Sequence, residues 1–273
     1  MDRPIAEPLF PAAGERAPAR PYGARSDEST LVGDLLVQHV PLVGSGDVEI
    51  IAIARRPTVL SKVAVRRSPS TQVQGRPVPL VLGVGADHIR RVREELGGEC
   101  IEVIQWQREP GHYIAAALGL SYLPSMLLLP SARLAQVFLG EIDYRGVGGW
   151  RATNLLLASA LTDWRVRLKR ISQTPAWRAL ERAQAEHQPI TAVVAGRSPK
   201  GLRVQVYGLN ALLPIGQIAG VKRTTPPELV EARIRERLGQ ELQVLVLRLD
   251  PDGGRIFVSE RAPAGRQLRL PLP

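Results

Sequence analysis

The chain has 273 residues, 44% of them apolar, with one cysteine and a formal net charge of +10. That length suffices for two or three small domains with their own cores, and the lone Cys100, set in an apolar strand pattern, excludes an intrachain disulfide and reads as a core residue. No run approaches the about 18 to 20 apolar residues of a membrane span, and the N-terminus lacks a basic patch followed by an apolar signal core, so a cytoplasmic protein with no membrane partner is expected.

Residues 1–28 are rich in Pro, Ala, Arg and Gly with few periodic apolar positions, which predicts a disordered tail. Ser29 is placed to cap a helix running to Gln38, and Val48–Ala54 and Ser61–Val65 read as strands joined at Arg55-Arg56-Pro57. A loop from Arg67 to Pro79 leads to the glycine turn Gly83-Val84-Gly85-Ala86, a helix through Leu96 and a strand Cys100–Trp106. These form a first α/β unit, residues 29–107. A second unit, residues 108–170, has the same grammar: a helix from Pro110 to Leu118, strands Met126–Leu129 and Leu134–Leu139, a short helical stretch near Ile142, the turn Gly149-Trp150-Arg151-Ala152, a helix to Leu161 and a strand Trp164–Leu168.

Residues 171–188 read as a polar helical connector anchored by Trp177 and Leu180. From Pro189 the period becomes that of strands, at Thr191–Val194, Leu202–Val206, Leu242–Leu249 and Arg255–Val258, with a helix from Pro226 to Leu238 between them. About five short strands with one helix after the third predict a small barrel of the OB type over residues 189–262, followed by a loose tail, 263–273.

The charge lies on the folded parts: residues 46–170 carry +6 and residues 189–262 carry +4. Of the 36 basic residues 32 are Arg, the side chain that grips phosphate bidentately and stacks on bases. A GC-rich genome explains Arg in place of Lys but not the excess over acids, which favours a polyanionic partner.

The stretches Gly46–Arg55, Pro77–Gly83 and Val92–Trp106 resemble the first KH domain of the bacterial transcription factor NusA, and Leu157–Trp164 resembles the end of its second KH domain. Lys200-Gly201-Leu202, Gly208, Leu213-Pro214, Gly239–Leu242 and Asp250–Arg261 resemble the RNA-binding barrel named for the first small-subunit ribosomal protein. The resemblance implies an α+β protein of two tandem prokaryotic-type KH domains followed by a five-stranded OB-fold β-barrel. The order departs from that of NusA, where the barrel precedes the KH pair. KH followed by barrel is the tail order of polynucleotide phosphorylase, whose catalytic core has no counterpart here.

A KH loop of the form G-x-x-G clamps a few nucleotides because its glycines let phosphates reach the backbone amides of the next helix. In both loops here, Gly83-Val84-Gly85-Ala86 and Gly149-Trp150-Arg151-Ala152, alanine stands at the last position and adds a methyl group at the closest approach. Arg90 and Arg91 follow the first loop, while the second offers Arg151 for phosphate and Trp150 for stacking, so the second is the stronger candidate. Arg165, Arg167 and Lys169 alternate along one strand, as a basic rim or a solvated edge. In the barrel, Val204 and Leu212 stand where the family has phenylalanines, leaving Lys200, Arg203, Tyr207, Asp250 and Arg255 as contacts. Two rival readings take the loops as tight turns in a fold serving protein contact, or Gly83-Val84-Gly85 as part of a dinucleotide turn, which lacks its third glycine.

The four histidines, His39, His88, His112 and His187, have no ligand spacing, and no nucleophile motif surrounds any serine. The sequence therefore reads as a non-enzymatic RNA-binding protein with no cofactor, metal or small-molecule substrate. By resemblance it acts in transcription elongation, termination or antitermination. The alternative is an adaptor whose degenerate KH domains hold RNA polymerase or the ribosome.

Overall fold

The structure, a computed structural model, describes residues 27–147, 151–221 and 225–261. Most of the two expected tails lies outside these residues, as do Gly149 and Trp150. The chain divides after Trp106 into two units.

The first unit comprises α1 (Asp27–His39), α2 (Pro41–Gly44), β1 (Val48–Arg56), β2 (Leu60–Arg67), α3 (Pro77–Leu82), α4 (Asp87–Glu95) and β3 (Cys100–Gln105). β1 and β2 form an antiparallel hairpin with Ala54 opposite Lys62, and β3 lies parallel to β2 with Leu60 opposite Cys100. A parallel neighbour requires a crossover, and α3 and α4 supply it. One face of the sheet buries Val63 and Val65 against Val32, Leu36, Val81 and Val92, all inaccessible to solvent.

Three local expectations change. The first helix begins at Asp27, so Ser29 lies buried within its first turn rather than capping it. The expected loop ends earlier, because Pro77 and Pro79 fall in the opening turn of α3, where a missing N–H costs nothing. Cys100 opens β3 and is half-buried, not a core residue.

The second unit opens with the same order: α5 (Pro110–Ala117), β4 (Ser125–Leu129), β5 (Leu134–Leu139), α6 (Glu141–Val147), α7 (Arg151–Thr162) and β6 (Arg165–Arg170). Again the first two strands pair antiparallel and the third joins the second in parallel, with Leu134 opposite Arg165. The expected repeat is thus one of topology: α-β-β-α-α-β recurs, with the four-residue α2 added after the first helix of the first unit.

After α8 (Pro175–Ala185) come β7 (Ile190–Ser198), β8 (Gly201–Val206), β9 (Leu209–Pro214), α9 (Pro227–Glu236), β10 (Glu241–Asp250) and β11 (Arg255–Ser259). They close a barrel in the order β7-β8-β9-β11-β10, with β10 returning to β7 and β11 parallel to β9. That closure, with its helix between the third and fourth strands, is the OB arrangement. β9 was not among the strands expected from pattern. It follows a two-residue turn, Tyr207-Gly208, whose φ values of 48° and 77° suit the twist of a hairpin. Along β8 and β9 the alternate residues Leu202, Val204, Val206, Leu209, Ala211 and Leu213 fill the interior. The connector α8, capped by Thr174 Oγ1 accepting from the Trp177 N–H at 3.1 Å, inserts Trp177 and Leu180 into that same core. No helix among the described residues is long and apolar enough to cross a membrane.

Candidate nucleic-acid interface

The first glycine turn joins α3 to α4. Gly83 adopts φ 76° and ψ 178°, and a Cβ there would meet the His88 ring at 2.8 Å, so both conformation and space require glycine. Gly85 and Ala86 follow in left-handed geometry, with Ala86 at φ 61° and ψ 28° immediately before α4. Val84 at the tip is 91% exposed. Helix α4 buries Ile89 and Val92 and turns Arg90, Arg91 and Arg93 outward, so the basic residues stand on its solvent face. Arg90 is ion-paired to Asp87 one turn earlier.

Ala86 occupies a backbone position that costs an L-residue roughly 1 to 2 kcal/mol. Ala86→Gly should relieve that strain while adding about 0.5 to 1 kcal/mol of chain entropy to be lost on folding. The expected result is stability within about 1 kcal/mol of wild type, with tighter binding of single-stranded RNA because the methyl at the clamp is gone. Weaker binding by the glycine variant, in a fluorescence-anisotropy titration, would remove this turn from the interface.

In the second unit Arg151 opens α7, and Gly149, Trp150 and the side chains of Arg151 and Ala152 fall outside what is described. On β6, Arg165, Arg167 and Lys169 are exposed while Val166 between them is buried, so the three cations share one face of an edge strand. The start of that strand is held firmly: Arg133 lies over the Trp164 ring at 5.5 Å and pairs with Asp163, and the Arg165 N–H donates to Arg133 O at 2.7 Å. Arg170 is committed elsewhere, stacking on Tyr144 at 4.2 Å and bonding to the Glu141 carboxylate. That carboxyl is held below its usual range by hydrogen bonds from Arg145 and Arg170.

The barrel residues are dispersed. Lys200 sits exposed in the β7–β8 turn, and Tyr207 is exposed in the β8–β9 turn at the other end of β8. Arg203 is half-buried, its guanidinium folded over Gly196, where a Cβ would meet Nη2 at 2.8 Å. Asp250 Oδ1 accepts the Gly253 N–H at 2.9 Å and so shapes the β10–β11 turn. Arg255, exposed, is close enough to Tyr122 of the α5–β4 connection to oppose the upward shift of that phenol, which burial and its hydrogen bond to Asp143 produce. Val204 is fully buried in the barrel interior, so a phenylalanine there would not present a stacking face, whereas Leu212 points outward.

The β10–β11 turn is not free. The Glu141 and Ile142 N–H groups at the start of α6 donate to Pro251 O and Asp252 O at 3.2 and 3.0 Å, so two carbonyls of the barrel turn satisfy the open end of that helix. Nearby, the Asn210 N–H donates to Ser125 Oγ at 2.8 Å, its side-chain amide donates to Pro124 O at 3.2 Å, and Phe138 packs against the barrel core. The second α-β-β-α-α-β element and the barrel therefore share one joint, and Asp250 and Arg255 belong to it. Sequence reasoning missed that joint, because nothing local marks Gly140, Pro251 or Asn210 as partners.

One aromatic outside the glycine turns also stands beside arginines. Trp106 lies beneath Arg66 at 5.4 Å, at the edge of a cavity of about 210 Å3 that Arg67 and Arg76 also line.

Against known proteins, residues 26–106 match the family described as the NusA-like first KH domain. The transcription termination/antitermination protein NusA of Thermus thermophilus is 34% identical over 157 residues, covering 57% of this chain and 40% of that protein. NusA of Mycobacterium bovis is 31% identical over 141 residues, 51% of this chain and 40% of its own length, and NusA of Halalkalibacterium halodurans is 28% identical over 160 residues, 59% and 41%. The chain thus spans about two fifths of the length of these curated relatives. It is similar to NusA through a KH-bearing first unit, and it carries a closed five-stranded barrel after its second α-β-β-α-α-β element.

Proposed function

We propose that this chain is a non-enzymatic RNA-binding protein of NusA type, acting in transcription elongation, termination or antitermination, with RNA polymerase and nascent RNA as its partners. The observation that carries this reading is the coincidence of the NusA-like KH match with a glycine turn whose tip is exposed and whose following helix presents Arg90, Arg91 and Arg93 to solvent. An exposed glycine turn followed by outward-facing arginines is suited to a single strand's phosphates.

The contacts we assign are Gly83, Val84, Gly85, Ala86, Arg90 and Arg91 in the first KH domain, placed at about 29–107. Gly149, Trp150, Arg151, Ala152, Arg165 and Arg167 serve in the second, at about 108–170. In the barrel, at about 189–262, Lys200, Arg203 and Tyr207 contribute from its surface and Asp250 and Arg255 from beside its joint.

The test is transcription in vitro by bacterial RNA polymerase on a template with a pause site and an intrinsic terminator. Addition of the chain is expected to change pause duration or read-through. An unchanged transcript pattern at saturating protein would confine its role to binding RNA away from the polymerase.

A further inference from the structure

The hollow beside Trp106 in the first unit has features that the glycine turn does not use. It opens where the C-terminal ends of β2 and β3 meet the N-terminus of α3, and its walls include Arg66, Arg67, Gly75, Arg76, Gln105 and Trp106. Arg66 is held in place twice, by the Glu49 carboxylate at 2.7 Å and by the Trp106 ring beneath it. The Trp106 backbone is fixed too, its N–H donating to Val65 O at 2.8 Å and so extending the parallel ladder past the end of β3.

Arg67 donates to Val73 O at 2.9 Å and is exposed, as is Arg76. Among the described residues neither is paired with a carboxylate. The hollow therefore combines two uncompensated guanidinium groups, a guanidinium already stacked on an indole, and the Gln105 amide with both a donor and an acceptor. An anion alone needs only the first of these. An acidic peptide brings charge but no ring for the stack. A nucleotide uses all three: a phosphate for the fork of Arg67 and Arg76, a planar base for the stack, and a hydrogen-bonding edge for the amide.

We propose that this hollow takes one nucleotide of a single-stranded RNA, its phosphate between Arg67 and Arg76 and its base against the Arg66–Trp106 stack. The inference rests on the RNA-binding reading above and adds a subsite to it. Helix α3 has six residues, a rise of about 9 Å, and runs from the hollow to the glycine turn at Gly83, so one strand leaving the turn reaches the hollow directly.

The test uses the full chain and a labelled single-stranded RNA of mixed sequence, titrated at several salt concentrations. Arg67→Gln/Arg76→Gln alters two exposed side chains and should leave the melting temperature unchanged. It is expected to weaken binding about tenfold and to make the slope of log affinity against log salt shallower by about 0.7, the value for one single-strand phosphate no longer neutralised. Trp106→Leu is expected to weaken binding at least fivefold, in line with loss of one stacked base. Its melting temperature is measured alongside, and should it unfold the unit, a 4-thiouridine crosslink mapped on wild type replaces it, with attachment at Trp106 expected. RNA binding by wild type with unchanged affinity and slope in the double arginine variant overturns the subsite alone. Loss in that variant but wild-type affinity in Trp106→Leu, or a crosslink map that omits Trp106, overturns the stacked base. No RNA binding by wild type overturns the subsite and the RNA-binding reading together.

Discussion

Glu99→Ala should cost the first unit about 3 to 5 kcal/mol, the usual loss when one member of a buried ion pair is removed and the other is left without its counter-charge. Glu99 is 1% exposed, between α4 and β3. Its carboxylate accepts from Arg55 Nε and Nη2 at 3.0 and 2.9 Å, from the Thr58 N–H at 2.9 Å and from the Ser61 hydroxyl at 2.7 Å. These bonds fasten the β1–β2 turn to the start of β3, where the backbone adds the Cys100 N–H to Val59 O at 3.3 Å.

Burial raises the Glu99 carboxyl, but the bonds from Arg55, Ser61 and Thr58 outweigh it and leave the group below its ordinary value of 4.5. A depressed folded value means the stabilisation is complete above that ordinary value and is lost as pH falls through the lowered one. Urea titrations from neutral pH down to about pH 3 should therefore show wild type losing stability at the acid end, with Glu99→Gln less stable at neutral pH and flatter below it. A neutral-pH loss under about 1 kcal/mol for Glu99→Ala would show that the carboxylate does not fasten the turn.

Gly140→Ala should open the joint between the second α-β-β-α-α-β element and the barrel. A Cβ on Gly140 would lie 2.3 Å from the Gly254 N and 2.4 Å from Asp252 O, both backbone atoms with no rotamer to yield. Overpacking of this kind costs about 1 to 3 kcal/mol, and separation also leaves the Glu141 and Ile142 N–H groups without Pro251 O and Asp252 O. Each part keeps its own sheet, so the expected signature is faster proteolysis at the β10–β11 turn and amide-exchange protection lost at Glu141 and Ile142. Secondary structure by circular dichroism should persist. Wild-type exchange at those two amides would contradict the joint.

The pattern of elements was legible wherever a glycine or proline separated apolar periods of different kinds, which is why the α-β-β-α-α-β order of the second unit and the three strands of the first could be read directly. Helix α3 escaped because its two prolines read as loop, although the first turn of a helix tolerates them. β9 escaped because Leu209–Pro214 lies between a tight turn and a proline and shows only three inward positions, Leu209, Ala211 and Leu213. What sequence could not reveal was long-range company. Nothing local marks Glu99 for burial, yet its carboxylate accepts from Arg55, Thr58 and Ser61. Trp106 read as the end of a strand, and its place under Arg66 follows only from the parallel pairing of β2 with β3. Asp250 and Arg255 were legible as barrel residues, but their turn meets α6 through a backbone approach between Gly140 and Gly254 that no local pattern encodes.

The most direct measurement is the affinity of the full chain for single-stranded RNA, duplex RNA and single-stranded DNA across a range of salt. A KH surface that neutralises at least three phosphates predicts preference for single-stranded RNA and a log–log salt slope of about −2 or steeper, at roughly 0.7 per phosphate. Absence of RNA binding at physiological salt, or equal affinity for all three nucleic acids, would contradict it.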